Sequence, residues 1–78
     1  MIPIGTLLIL EEHTHTYQMI VLSHFPVFFN EQELWHYELN FFRDGANLGT
    51  LAFDEIEFDK LINKGEVKIL SEGTHEDT

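Results

Sequence analysis

The spacing of apolar positions changes period near residue 53. From 34 to 42 apolar side chains fall at every second place, with Trp35, Tyr37, Leu39 and Phe41 on one side and His36, Glu38 and Asn40 on the other. That is the pattern of a half-buried strand. Beyond 53 the spacing becomes three and four: Phe58, Leu61 and Ile62 share one helical face, while Glu57, Asp59, Lys60, Asn63 and Lys64 are left to water. Both ends of this helix are marked. Asp54 stands as N-cap with Glu57 three residues on, a capping box, and Phe53 and Phe58 have the spacing of a hydrophobic staple. Lys60 and Lys64 suit the negative helix end, and Gly65 suits the left-handed position that stops it. The pattern predicts one short helix over about 55–64, with a strand over 66–70 following at once. So short a helix is useful only as cover for a sheet.

The earlier part of the chain reads as strands. Residues 6–10 form an unbroken apolar run, expected to be a strand buried on both faces. The polar stretch 11–16, E-E-H-T-H-T, supplies the turn of a hairpin whose second strand is 17–22. Residues 24–30 are apolar but contain Pro26, whose missing N–H points to an edge strand or an irregular crossing. An acidic turn is expected over 31–33, and Arg43, Asp44 and Gly45 turn the chain into a return strand over 48–53. The fold class is therefore α+β, mainly β, in the order ββββαβ. It is either a small curved antiparallel sheet or an SH3-like, partly open barrel. A single domain is expected over 1–70, with an acidic mobile tail over 71–78 that has no apolar anchor.

Length makes this packing demanding. A chain of 78 residues buries only about 60% of its unfolded surface, and with no cysteine it has no disulfide to help. Seven Phe, two Tyr and one Trp supply large buried areas instead. Cysteine-based chemistry, including zinc ribbons and thiol catalysis, is excluded. The lack of cysteine suits a reducing compartment, and 1–10 has no positive leader before its apolar run is cut by Glu11 and Glu12. A cytoplasmic protein that does not enter a membrane is expected.

Charge narrows the partners. Fourteen acids against four bases give a net charge of −10, and no Lys or Arg occurs before Arg43. Such a surface repels a phosphate backbone, so direct nucleic-acid binding is not expected, whereas a basic protein surface would be attracted. The same acids also keep an aromatic-rich domain in solution.

Catalytic motifs are missing. Ser23 and Ser71 are the only serines, and no nucleophile elbow, phosphate loop or dinucleotide fingerprint occurs, so no catalytic residue and no cofactor is assigned. The histidines are the one chemically suggestive set. On an extended segment His13 and His15 would point to one side, continued by Glu11, with His24 or His36 to complete a site. Such groups can ligate Zn²⁺ or Ni²⁺, whereas a surface turn with two His is more often simply solvated. For partner binding the candidates are Phe25, Phe28, Phe29, Glu31 and Glu33, an aromatic surplus around Pro26 with an acidic rim. Closure of the core by the same Phe side chains is the competing account.

The opening P-I-G-T-L-L-I-L, the segment Tyr17-Gln18-Met19-Ile20-Val21-Leu22, an aromatic strand and the closing I-x-x-G-E-V resemble an uncharacterised family of small acidic bacterial proteins. That family is encoded near type VII secretion genes and their secreted toxins in Gram-positive bacteria. The layout covers most of 2–70, with Pro3-Ile4-Gly5-Thr6 as the matching motif, and this chain departs from it in its His-rich turn. The resemblance implies a cytosolic partner-binding protein of the toxin accessory or immunity kind. It carries over no catalytic residue. The expected function is a non-enzymatic acidic protein-binding module that modulates or neutralises a protein partner. The alternatives are a metal-binding protein or small enzyme using His13 and His15, and a homo-oligomeric structural subunit joined at an unpaired edge near Pro26 or Leu48.

Overall fold

The computed structural model describes residues 2–73. Its elements are β1 (Leu7–Glu12), β2 (His15–Phe29), β3 (Gln32–Arg43), β4 (Ala46–Asp54), α1 (Glu55–Asn63) and β5 (Val67–Ser71). The ββββαβ order and the mainly β class hold. Of the two architectures expected, the open sheet is the one formed. Its strands run β4-β3-β2-β1-β5, every neighbouring pair antiparallel, and β4 and β5 are separate edges rather than a closing pair.

The helix ends follow the sequence signals closely. Asp54 Oδ1 accepts the Ile56 amide at 2.7 Å, and the Phe53 and Phe58 rings lie 6.0 Å apart, so cap and staple both form. The reciprocal half of the capping box is replaced: Glu57 Oε2 accepts from Lys60 Nζ at 3.2 Å. At the far end Gly65 takes φ +82°, its amide donates to Ile62 O, and the Glu66 amide donates to Leu61 O. This pair of bonds is a Schellman motif and satisfies carbonyls that the helix leaves open.

One helix covers one face. Leu8, Met19, Val21, Tyr37, Leu39, Phe41, Phe58 and Val67 form the core between α1 and the sheet. The expectation that 6–10 is buried on both faces is corrected: Leu8 is fully buried, but its neighbour Leu7 on the other face is 42% exposed. No second layer exists to cover it among the described residues.

Two bulges shape the sheet. Val21 faces Leu39 and Ser23 faces Glu38, so Leu22 is an extra residue. The insertion reverses the alternation, and His24, Pro26 and Phe28 continue the helix-bearing face while Phe25, Val27 and Phe29 pass to the other. A second bulge sits at Leu48. There Asn40 Nδ2 donates to Asn47 Oδ1 and Gly49 O, while Asn47 Oδ1 also accepts the Gly49 amide.

The chain past position 70 is partly docked. Ser71 ends β5, and the Gly73 amide donates to the buried Thr6 Oγ1 at 2.9 Å. The remainder of the expected tail, 74–78, lies outside the described residues.

Candidate partner-binding arm

β2 and β3 are the longest strands, at 15 and 12 residues, and they outrun their neighbours. β1 pairs with β2 only as far as Ile20, and β4 pairs with β3 only from His36 onward. The four pairs from Pro26↔Trp35 to Phe29↔Gln32 therefore stand as a two-stranded ribbon with no further strand on either edge among the described residues, about 13 Å long at ~3.3 Å per residue. Residues 24–30 are regular strand rather than an irregular crossing. Pro26 is accommodated because the strand beside it is absent and no ladder bond is lost there.

The tip differs from expectation as well. The turn is Asn30-Glu31 rather than 31–33, and Glu33 belongs to β3. Both turn residues have positive φ, +51° and +63°, which is a two-residue turn of type I′. Asparagine tolerates this conformation, whereas a glutamate at φ +63° carries strain of about 1 kcal/mol or more.

Around that turn the structure brings together four of the five expected partner-binding residues. Phe28 is 72% exposed and Phe29 64%, one on each face of the ribbon, and Glu31 follows them in the turn. Glu33 is opposite Phe28 and accepts from Trp35 Nε1 at 3.0 Å. Phe25 lies apart from the tip, at the root, half-buried and stacked on His36 with ring centroids 5.9 Å apart. Sequence reasoning missed Val27 and Trp35, both partly exposed on the arm. Trp35 was expected in the core with Tyr37, Leu39 and Phe41. It lies beyond the reach of α1, and only the length of the uninterrupted hairpin around Asn30 would have indicated that.

The root of the arm is fastened to the helix. His24 is sandwiched between Trp35 and Tyr37, each ring 4.6 Å from its own at 26°. Its Nε2 lies 2.8 Å from Glu55 Oε2 at the start of α1. An ionised carboxylate only accepts, so Nε2 is the donor. The Tyr37 hydroxyl donates to the same Glu55 oxygen at 3.2 Å and accepts the Ile2 amide at 2.9 Å. Burial raises the Tyr37 pKa above its ordinary value, the Ile2 bond works against the rise, and the Glu55 charge adds to it. Glu55 thus accepts from both His24 and Tyr37, whose rings stack on each other, and this cluster ties the root of the ribbon to the start of α1.

The histidine candidates do not meet. His13 is in the β1–β2 turn with φ +55°, and His15 is the first residue of β2, so the extended segment that would align them does not exist. His24 is held by Glu55 and His36 stacks on Phe25. Among the described residues no group of three His, Cys, Asp or Glu side chains is gathered as metal ligands. No helix among them is long and apolar enough to cross a membrane.

No family model, curated protein or solved structure matches this chain. The reading of the arm therefore rests on its own chemistry.

Proposed function

We propose that this chain is a non-enzymatic, acidic protein-binding module that engages a protein partner through the tip of the β2–β3 arm and so modulates or neutralises it. The observation that carries the reading is the pair Phe28 and Phe29, held in water at the end of a ribbon whose root is locked by His24, Tyr37 and Glu55. Aromatic anchors dominate interface energies, and a ribbon fixed in direction loses little conformational freedom on binding.

Glu31 supports it further. A strained turn residue where Gly is the relaxed choice suggests selection for something other than stability. The partner surface would offer apolar pockets for the two rings and basic groups for Glu31 and Glu33. The arm has no Lys or Arg, and the net charge of −10 favours a basic protein over nucleic acid. A cytoplasmic setting and a role as toxin accessory or immunity factor follow from the resemblance to the family encoded near type VII secretion genes.

The test compares the wild-type chain with a Phe28→Ser/Phe29→Ser variant as bait in lysate, eluted with rising salt. A stoichiometric protein retained by the wild type and lost from the variant is expected. Identical retention by both baits, or none by either, would remove the reading.

A further inference from the structure

The nine-residue α1 is about 13 Å long, whereas five strands at ~4.8 Å spacing are ~19 Å wide. The helix starts where β4 ends and finishes where β5 begins, so it crosses the sheet diagonally and leaves one corner bare. That corner, at the end away from the arm, is a groove of about 350 Å³ lined by Leu10, Tyr17, Phe41, Leu51 and Phe53, with Leu48 and Gly49 along the edge strand. Glu12 stands at its rim.

Beside the groove runs β4, an outer strand whose outward N–H and C=O groups have no neighbouring strand among the described residues. Edge strands are ordinarily protected by charge or proline. From Ala46 to Phe53 this one has neither, and Leu48 and Leu51 are 55% and 58% exposed. The opposite edge is different: β5 carries Lys68, with Glu66 and Glu72 beside it.

We infer that β4 is the site at which a second copy of this chain docks, by antiparallel β4–β4 pairing into one ten-stranded sheet with both helices on the same face. Two chains of net charge −10 repel across most of their surface, and a charge-free strand is where they can approach. Antiparallel pairing also sets the acidic end of β4, at Asp54 and Glu55, against the turn carrying Arg43 and Asp44, not against another acidic end.

Side-chain shape favours a register with Thr50 on the two-fold axis. Leu51 of one copy then lies opposite Gly49 of the other, and both positions face the groove. Gly49 has open space where a side chain would stand, so the exposed Leu51 fills the bare corner of its partner and is filled against in return.

The test is the mass in solution by light scattering after gel filtration, with the Phe28→Ser/Phe29→Ser arm variant as a control. The wild type at about 100 μM is expected at twice 9.1 kDa. Leu51→Asp should return it to the single-chain mass with its circular dichroism retained, and the arm variant should stay dimeric. Because the chain has no cysteine, Thr50→Cys should give a disulfide-linked dimer on mild oxidation. Should Leu51→Asp fail to fold, amide exchange in the wild type decides, since pairing makes protection from Thr50 to Ala52 depend on protein concentration. A single-chain mass for the wild type, a dimer unaffected by Leu51→Asp, or a dimer lost in the arm variant would each overturn the inference. Loss of lysate capture by the arm variant tests the arm alone, so the two readings fail separately.

Discussion

Removing the Glu55 carboxylate should unfasten the arm from the helix. In Glu55→Ala the Tyr37 hydroxyl and His24 Nε2 both lose their acceptor at a partly buried site. Hydrogen bonds to a charged group contribute about 1.5–3 kcal/mol each, but the Glu55 side chain is 29% exposed and water will replace part of what is lost. Loss of a first-turn acid adds about 0.3–1 kcal/mol through the helix dipole. The net expectation is about 2 kcal/mol, a large share of the ~4–12 kcal/mol that a domain of this size possesses. In thermal unfolding that corresponds to a drop of about 8–16 °C. Urea titration should be followed both by far-ultraviolet circular dichroism and by Trp35 emission. The lone tryptophan stacks on His24 and so reports on the arm root. Its emission should already differ in the folded variant at zero urea. A double-mutant cycle with Tyr37→Phe isolates the Tyr37–Glu55 bond and should show coupling of about 1 kcal/mol. A variant within about 0.5 kcal/mol of wild type, with unchanged Trp35 emission, would refute the idea that this cluster holds the arm.

Other consequences can be checked on the isolated protein. Glu31→Gly should stabilise by about 0.5–1 kcal/mol in urea, relieving the strain at φ +63° net of glycine's extra unfolded entropy, while weakening partner capture. Gly73→Ala should cost about 1–3 kcal/mol, because a Cβ there would overlap the Ile4 carbonyl oxygen and the Gly5 backbone. Tyr37 keeps its proton to higher pH in the folded chain than in the unfolded one. Its contribution is therefore complete below about pH 10 and lost as pH climbs through the raised folded value, and Tyr37→Phe should flatten that alkaline loss in pH-dependent urea titrations. Phe28→Ser/Phe29→Ser should lower stability by less than about 1 kcal/mol, since folding buries only about a third of each ring, yet weaken binding at least ~30-fold if both are anchors.

The helix was legible because every signal for it is local. Phe53, Asp54, Ile56 and Phe58 act together over the first turn and Gly65 acts with Ile62 over the last, and cap, staple and stop each form. The arm was harder to see. Pro26 marked a break only on the assumption of a neighbouring strand, and no sequence pattern tells how far β1 and β4 extend beside β2 and β3. The Leu22 bulge hid the alternation on β2: counted from Tyr17, Phe25 would share the helix-bearing face, but after the insertion it falls on the other and Phe28 takes its place. His24 with Glu55, and Tyr37 with Ile2, are pairs between distant positions that composition does not reveal. The bare corner depends on the angle at which nine helical residues cross the sheet, which is a tertiary quantity.

Antiparallel pairing at every step of the β4-β3-β2-β1-β5 order makes the two outermost strands run in the same direction, with α1 passing over the three between them. This divides folding into two stages. The first four strands form a meander of successive hairpins whose short loops close on the microsecond scale. β5 can pair only after the chain has returned across the whole width to β1, closing a loop that spans nearly the entire described chain. The helix with its last strand is thus expected to be the slow partner in assembly. Transient loss of that unit would uncover the core face and free β1 as a new edge, so weakening the five-residue β5 is expected to speed unfolding, which stopped-flow unfolding rates of β5 variants would check.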